Sequence, residues 1–381
     1  ACLHRGIPFT LYERDTSFDA RSQGYGLTLQ QASKAIAGLG IPFLEEGITS
    51  TKHVVHNQEG TIIGEWGLRK WMVSHNEKST KRKNVHIARQ SLRASLLERI
   101  GESDSVKWGH TLSFISENTN GSVNISFNVN GDEKTEHADL LVGADGIRSS
   151  VRNHVIEEHK TPLQYLGCIV ILGICSLESL EKIESPLFDS ATVFQTVNGK
   201  ERIYVMPYDS KHIMWQLSFK MEEKEAQELS KKGSQAMKEE AQRRLIWHSP
   251  IPEILKETDS SRITGYPVYD REVLDQELLQ NAGNITLIGD AAHPMSPFKG
   301  QGANQALLDA LTLARTIFIE CGANSKWREE GLRSTILNSF EDEMIQRTAS
   351  KVRDSAKAVD LLHSEVVLHE GDEPRGRGLV V

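Results

Sequence analysis

Apolar and polar positions in this chain follow two periods, and each period marks a different kind of element. Short runs rich in β-branched residues, cut off by glycine or an acidic residue, predict buried strands at 8–12, 140–142 and 285–288. Alternation predicts antiparallel strands at 111–117 and 122–129, joined by Asn120-Gly121, and a hairpin within 49–71. Further strand patterns run at 167–174, 191–196, 202–206 and 212–219. Helical spacing is clearest at 89–100, where Leu92, Leu96, Leu97 and Ile100 share a face. Helices are also expected over 30–39, from Ser149, over the charged stretch 221–246, from Gly302 and within 334–365. The stretch 251–264 reads as a shorter element, and 370–378 as a frayed polar tail.

The order of these elements sets the architecture. A helix end at 1–5 closed by Gly6, a strand, and the acidic turn Glu13-Arg14-Asp15 form the second half of a βαβ nucleotide-binding unit. Its first half, a strand and Gly-x-Gly-x-x-Gly, would lie before Ala1. The chain opens without a methionine, so a longer polypeptide is expected. Nucleotide-type elements recur in the middle and late parts, with antiparallel segments between them. The expected fold class is α/β. A Rossmann-like nucleotide-binding domain (1–50, 84–158 and 280–325) is interrupted by a mixed or antiparallel-sheet substrate domain (51–83 and 159–279). C-terminal helices and a tail (326–381) follow.

The residues most specific for chemistry lie in the late block. The strand at 285–288 stops at Gly289-Asp290, placing a carboxylate at its carboxyl end, where open α/β sheets bind ligands. Gly300 and Gly302 then lead into a long helix, whose unpaired N–H groups and positive dipole end lie beside that carboxylate. An acceptor for hydroxyls next to a cradle for negative charge suits a dinucleotide, and the layout matches a flavin site. Other positions are ambiguous alone. Glu13 is placed to accept from ribose hydroxyls, or is a solvated turn. Arg14 and Arg21 pair with phosphate or face water. Arg89, with Arg93 as its competitor, begins an amphipathic helix from which a guanidinium reaches a pyrophosphate. Asp145-Gly146 marks either a ligand-approaching strand end or a plain tight turn.

Composition narrows the classes. The 381 residues carry 44 basic and 52 acidic side chains, a net charge of −8, which argues against nucleic acid as the main partner. Cys2, Cys168, Cys175 and Cys321 have no metal spacing and read as free thiols of a reducing compartment, so a cytoplasmic location is expected. The longest apolar stretch, 166–174, is far short of a membrane span. His53 and His56 fall on opposite faces of a strand and cannot share a metal, and Lys81-Arg82-Lys83 reads as a solvated loop. A monomer or homodimer is expected.

Several motifs together resemble the class A FAD-dependent monooxygenases, the p-hydroxybenzoate hydroxylase fold, and within them the tetracycline-inactivating monooxygenases. They are Tyr12-Glu13-Arg14-Asp15, Ala88-Arg89-Gln90-Ser91-Leu92-Arg93, the Gly143-Ala144-Asp145-Gly146 segment within 138–152, Ile288-Gly289-Asp290-Ala291-Ala292-His293-Pro294, and Gly300-Gln301-Gly302-Ala303-Asn304. The resemblance spans essentially the whole chain, except for the family's first strand and glycine loop. It implies a Rossmann-like FAD-binding domain, with Glu13 on the adenosine ribose, Arg89 on the FAD and Asp290 on its ribityl or pyrophosphate region. The amides of Gly300, Gly302, Ala303 and Asn304 would face the flavin pyrimidine edge. Asp145 would serve FAD and NADPH, and Arg21 would lie near the cofactors.

The activity the resemblance implies is hydroxylation of an aromatic or polycyclic small molecule. NADPH or NADH would act as a transient co-substrate and O2 would be activated as a flavin C4a-hydroperoxide. The cofactor carries that chemistry, so no catalytic acid or base is assigned. Met206, Trp215, Phe219, Met295 and Phe298 are candidates for an apolar pocket wall or for plain core. Two alternatives stay open: a non-hydroxylating flavin oxidoreductase, and a flavin-binding protein without turnover.

Overall fold

The computed structural model describes all residues except 21–23, 42–43, 68, 70–83, 102–103, 120, 323–324 and 376–381. Two short parallel pairs carry the nucleotide-type motifs. β1 (Leu11–Tyr12) pairs with β7 (Val106–Lys107), and β11 (Leu141–Gly143) pairs with β17 (Ile285–Leu287). An antiparallel trio joins β2 (Gly26–Leu29), β6 (Val85–Ala88) and β3 (Ile48–Thr49) and packs against the main sheet. Another trio joins β8 (Thr111–Glu117), β9 (Val123–Val129) and β10 (Asp132–Ala138).

The main sheet has seven strands. They are β4 (Lys52–Asn57), β5 (Ile62–Trp66), β12 (Gln164–Ser176), β13 (Thr192–Val197), β14 (Glu201–Asp209), β15 (His212–Lys220) and β16 (Ile263–Asp270), ordered β16-β12-β15-β14-β13-β4-β5. All neighbours are antiparallel except β13 with β4.

Because side chains alternate along a strand, this sheet has two distinct faces. Ile169, Ile171 and Cys175 of β12 join Trp215, Leu217 and Phe219 in a core sealed by the helices Glu223–Lys231, Ser234–Arg244 and Ile251–Glu257. Cys168, Val170 and Leu172 face the other way, with Met206, Met214 and Val268, and meet Val359 of the helix Asn338–Leu362. Of the candidate wall residues, Met206 and Phe298 therefore lie on this second side, whereas Trp215 and Phe219 are core. The indole N–H of Trp215 donates to Thr258 Oγ1 at 2.9 Å, which satisfies its only donor in that core.

Several expectations need correction. The charged stretch 221–246 is two helices, broken where Gly233 takes φ +86°, a backbone conformation that only glycine adopts freely. The element at 251–264 is a helix followed by β16, whose Pro267 and polar positions hide its strand character. β10 carries the sequence Asp-Glu-Lys-Thr-Glu-His-Ala, with no apolar alternation, and exists because it pairs fully with β9. The expected frayed tail is docked as far as Arg375. That guanidinium, 7% exposed, donates to the carbonyls of Val367, Ile63, His369 and Gly371, and the Gly371 amide donates to Ile63. Lys81-Arg82-Lys83 lies outside the described residues.

Gly173 tests how tightly the helix-covered face is packed. A Cβ there would stand 2.4 Å from the Trp215 ring, opposite it in the β12–β15 register. Gly173→Ala should destabilise the protein by about 1–3 kcal/mol, the cost of overpacking a close-packed interior. Urea unfolding checks this; an unchanged midpoint and slope would show that the indole can shift at no cost.

Candidate functional site

The site is built where β17 ends. Gly289 takes φ +59° and its amide donates to Asp309 Oδ2 at 2.8 Å, which turns the chain sharply and leaves Asp290 at the tip. The turn is held from behind by Arg152, 1% exposed, whose Nη1 donates to the carbonyls of Ala291 and Ala292 at 2.8 and 3.0 Å. Burial, with the charge of Arg271 adding to it, pulls the Arg152 pKa down to about 10. Gly300, at φ +59°, redirects the chain into the helix Gly302–Glu320.

Asp290 combines two properties. Its side chain is accessible to solvent. Dense protein around the opening nevertheless desolvates it, and desolvation is the main cause of a raised carboxyl pKa. His293 and Arg89 oppose that shift and Asp309 adds to it. A Cβ on Gly302 would lie 3.4 Å from Asp290 Oδ1, so glycine keeps the carboxylate and the helix N-terminus open to a common partner. The first amides of any helix lack intrahelical acceptors, and here they are those of Gly302, Ala303 and Asn304. Carboxylate, bare glycine and free amides fit the hydroxyls and negative charge of a flavin nucleotide.

The other expected residues divide. Arg89 opens the helix Arg89–Ile100, and its guanidinium sits 5.8 Å above the Tyr25 ring with Asp290 within electrostatic range. Arg93 is turned elsewhere, bonded to Gln90 and stacked on Phe18. The Asn304 side chain is fully committed to protein. Its Oδ1 accepts from the Gln30 and Ala32 amides and its Nδ2 donates to the carbonyls of Thr28 and Gly300, bolting the loop to β2. Only its backbone amide is available to a ligand.

Asp145 is likewise engaged. It accepts from Ser149 Oγ and from the Ser150 and Val151 amides at 2.7 and 3.1 Å, so its carboxylate caps the helix Ser150–Val155. Glu13 follows β1, its amide bonded to the Lys107 carbonyl and its side chain to the Asp15 amide; Arg14 beside it is exposed. Arg21 lies outside the described residues.

Sequence reasoning missed the group that fixes the turn. Asp309, fully buried, accepts from the Gly289 amide, pairs with His293 Nε2 at 2.7 Å and receives Arg347 Nη2 at 2.8 Å. It sits in the middle of a helix, nineteen residues after Asp290, with no motif pointing to it. Its one sequence signal is a charged side chain on an otherwise apolar stripe, Leu307-Leu308-Asp309-Ala310-Leu311. Among the described residues no group of three or more His, Cys, Asp or Glu could hold a metal, and no helix is long and apolar enough to cross a membrane.

Desolvation is the largest influence on Asp309 and pushes its carboxyl up. The bonds from His293, Arg347 and the Gly289 amide outweigh it and hold the carboxyl below its ordinary range. A depressed folded-state pKa contributes stability above the ordinary carboxylate range, and that contribution is lost as pH falls through the folded value. Asp309→Asn should therefore cost about 1–3 kcal/mol at neutral pH, because it removes the charge from the bonds to His293, Arg347 and the Gly289 amide, while Arg347 keeps its pair with Glu343. It should also flatten the acid limb of the stability–pH curve. A variant as stable as the parent at neutral pH would show that the cluster contributes nothing.

Comparison with known proteins agrees with this geometry. A family model described as an FAD binding domain matches residues 6–326. Aurachin C monooxygenase/isomerase of Stigmatella aurantiaca is 28% identical over 323 residues, covering 84% of this chain and 77% of that protein. The crystal structure of Klebsiella pneumoniae HpxO complexed with FAD and uric acid has the same fold. Its TM-score is 0.75 at 19% identity, over 95% of this chain and 84% of that one. Tetracycline destructase Tet(51) also shares the fold, with a TM-score of 0.65 at 18% identity, over 96% and 87% of the two chains. The chain belongs to the FAD binding domain family, among the flavoprotein monooxygenases.

Proposed function

We propose that this FAD-dependent oxidoreductase consumes NADPH or NADH and O2 to hydroxylate an aromatic or polycyclic small molecule. The observation that carries the reading is the second face of the main sheet. There Tyr25, Leu172, Tyr208 and Met214 line a cavity of about 480 Å³. Tyr25 at its edge lies under the Arg89 guanidinium, which is within electrostatic range of Asp290, and this supports a pocket adjoining the Asp290 turn. Leu172, Ile174 and Met214 supply apolar walls of the kind that hold a planar ring and exclude water, with Met206 packed behind them.

When bound, FAD supplies the redox and oxygen chemistry. The chain's own residues bind, orient and shield. Asp290 accepts hydroxyl hydrogen bonds, and Glu13 does the same for the distant ribose. The amides of Gly302, Ala303 and Asn304 and the dipole of the helix they begin favour negative charge next to them. Arg89 adds a cation at the same edge. The polar groups of Asp145 and Asn304 shape the backbone that meets the cofactor. In this reading 1–50, 84–158 and 280–325 form the cofactor domain, and 51–83 and 159–279 the substrate domain.

The test is stoichiometry under labelled dioxygen. With its substrate the holoenzyme should oxidise NADPH or NADH severalfold faster and place one labelled oxygen atom in the product. Full-rate turnover without oxygen would mean a reductase instead, and flavin-loaded protein with no turnover on any aromatic candidate would mean a binding protein.

A further inference from the structure

The cavity beside Tyr25 carries one hydrogen-bonding atom that the protein leaves unused. His212 opens β15 and lies on the same side of that strand as Met214, two residues on, and both line the cavity. Opposite it in the register stands Asp209, at the end of β14, where the pairing shifts between Pro207 and Asp209. The His212 Nδ1 lies 2.9 and 3.0 Å from the two oxygens of that carboxylate. An ionised carboxylate only accepts, so Nδ1 carries the hydrogen, and in the neutral ring Nε2 keeps its lone pair. Nε2 has no partner among the described residues and is not sealed inside the protein; the side chain is 21% exposed.

Bonds on either side fix where that nitrogen stands. Tyr208 Oη donates to the Gly24 carbonyl at 3.1 Å, and the Gly26 amide donates to Met214 Sδ at 2.9 Å. They tie the hairpin of β14 and β15 to the segment that carries Tyr25, so His212 and Tyr25 border one space. Asp209 is held in turn. Its Oδ1 accepts from the Lys211 amide at 2.8 Å, which keeps the carboxylate against the ring. A carboxylate behind an imidazole sets its tautomer and its plane, and leaves the far nitrogen preorganised for a ligand. Arg262, the cation lining the same cavity, has only donors and cannot compete for a ligand's hydrogen. With Leu172, Ile174 and Met214 as apolar walls, a cavity of about 480 Å³ has room for a fused aromatic ring system.

We infer that His212 Nε2 accepts a hydrogen bond from a hydroxyl of the substrate, so that the cavity selects fused-ring phenols over ring systems without that donor. The inference rests on the proposed function for the identity of the occupant, an aromatic molecule. Apolar walls alone discriminate weakly between ligands of one shape. An acceptor that loses its water and meets no donor penalises the wrong ligand, and so the hydroxyl decides. With its hydroxyl at the hairpin, the ring extends toward Tyr25.

The test measures binding, not turnover. Flavin-loaded protein is titrated calorimetrically with 2-naphthol and with 2-fluoronaphthalene, at a pH well above the ordinary imidazole range. The two probes are alike in shape, and only the first is a donor. His212→Leu should weaken 2-naphthol binding roughly tenfold, the worth of one hydrogen bond left unmade, and leave 2-fluoronaphthalene binding as it was. His212→Gln, whose amide oxygen accepts at a similar reach, should recover part of that loss. Equal weakening of both probes in His212→Leu, unchanged 2-naphthol affinity in that variant, or no binding of 2-naphthol to the parent would each overturn the inference. The proposed hydroxylation fails separately. If labelled oxygen is never incorporated while 2-naphthol affinity still depends on His212, the hydroxyl site stands and the reaction is a different one.

Discussion

One fully buried carboxylate holds the site together. Asp309 fixes the amide of Gly289, the ring of His293 and the guanidinium of Arg347, and so joins the strand end, the turn and the C-terminal helix at one point. The ordinary penalty for burying charge is offset because both carboxylate oxygens are occupied by donors. That anchor holds Gly289 at φ +59°, the turn from which Asp290 projects.

Two further clamps act on the same region from other directions. Arg152 grips the carbonyls of Ala291 and Ala292 from the helix that Asp145 caps. Arg333 donates to the carbonyls of Gly283 and Ile285 and to Glu341, while Thr286 donates to the other Glu341 oxygen. The turn is therefore over-determined behind and bare in front. That contrast is what a cofactor edge requires: rigid donors and acceptors with accessible faces. The second face of the large sheet, with Met206 and Met214, packs against Val359 of the same C-terminal helix.

Much of this was legible in the sequence because the decisive features are local. The strand, Gly289-Asp290 and the paired glycines at 300 and 302 are contiguous, and their spacing alone places a carboxylate beside a helix start. The strand patterns at 202–206 and 212–219 likewise marked strands, which are buried on both faces of the sheet. What escaped notice is long-range. β10 is polar throughout and is specified by its partner β9. Asp309 meets Arg347 across 38 residues, and Arg152 reaches the Ala291 carbonyl across 139, with no local pattern to announce either contact. Trp215 and Phe219 share a strand with Met214 but face the opposite side, so residue type suggested a pocket wall where register dictates core. Gly233 split a helix whose charge periodicity was otherwise continuous.

In the proposed function the bare Asp290–Gly302 turn is the acceptor edge of the flavin site. Its most direct test is FAD affinity of Asp290→Asn, measured by fluorescence titration alongside the thermal midpoint of the flavin-free protein. Because the folded protein raises the carboxyl pKa of Asp290, its charge opposes folding above the ordinary carboxylate range, and a neutral amide removes that opposition. FAD affinity should fall roughly tenfold or more, the worth of a charged hydrogen bond, with a flavin-free midpoint equal to or above that of the parent. Unchanged FAD affinity in a folded Asp290→Asn protein would contradict it.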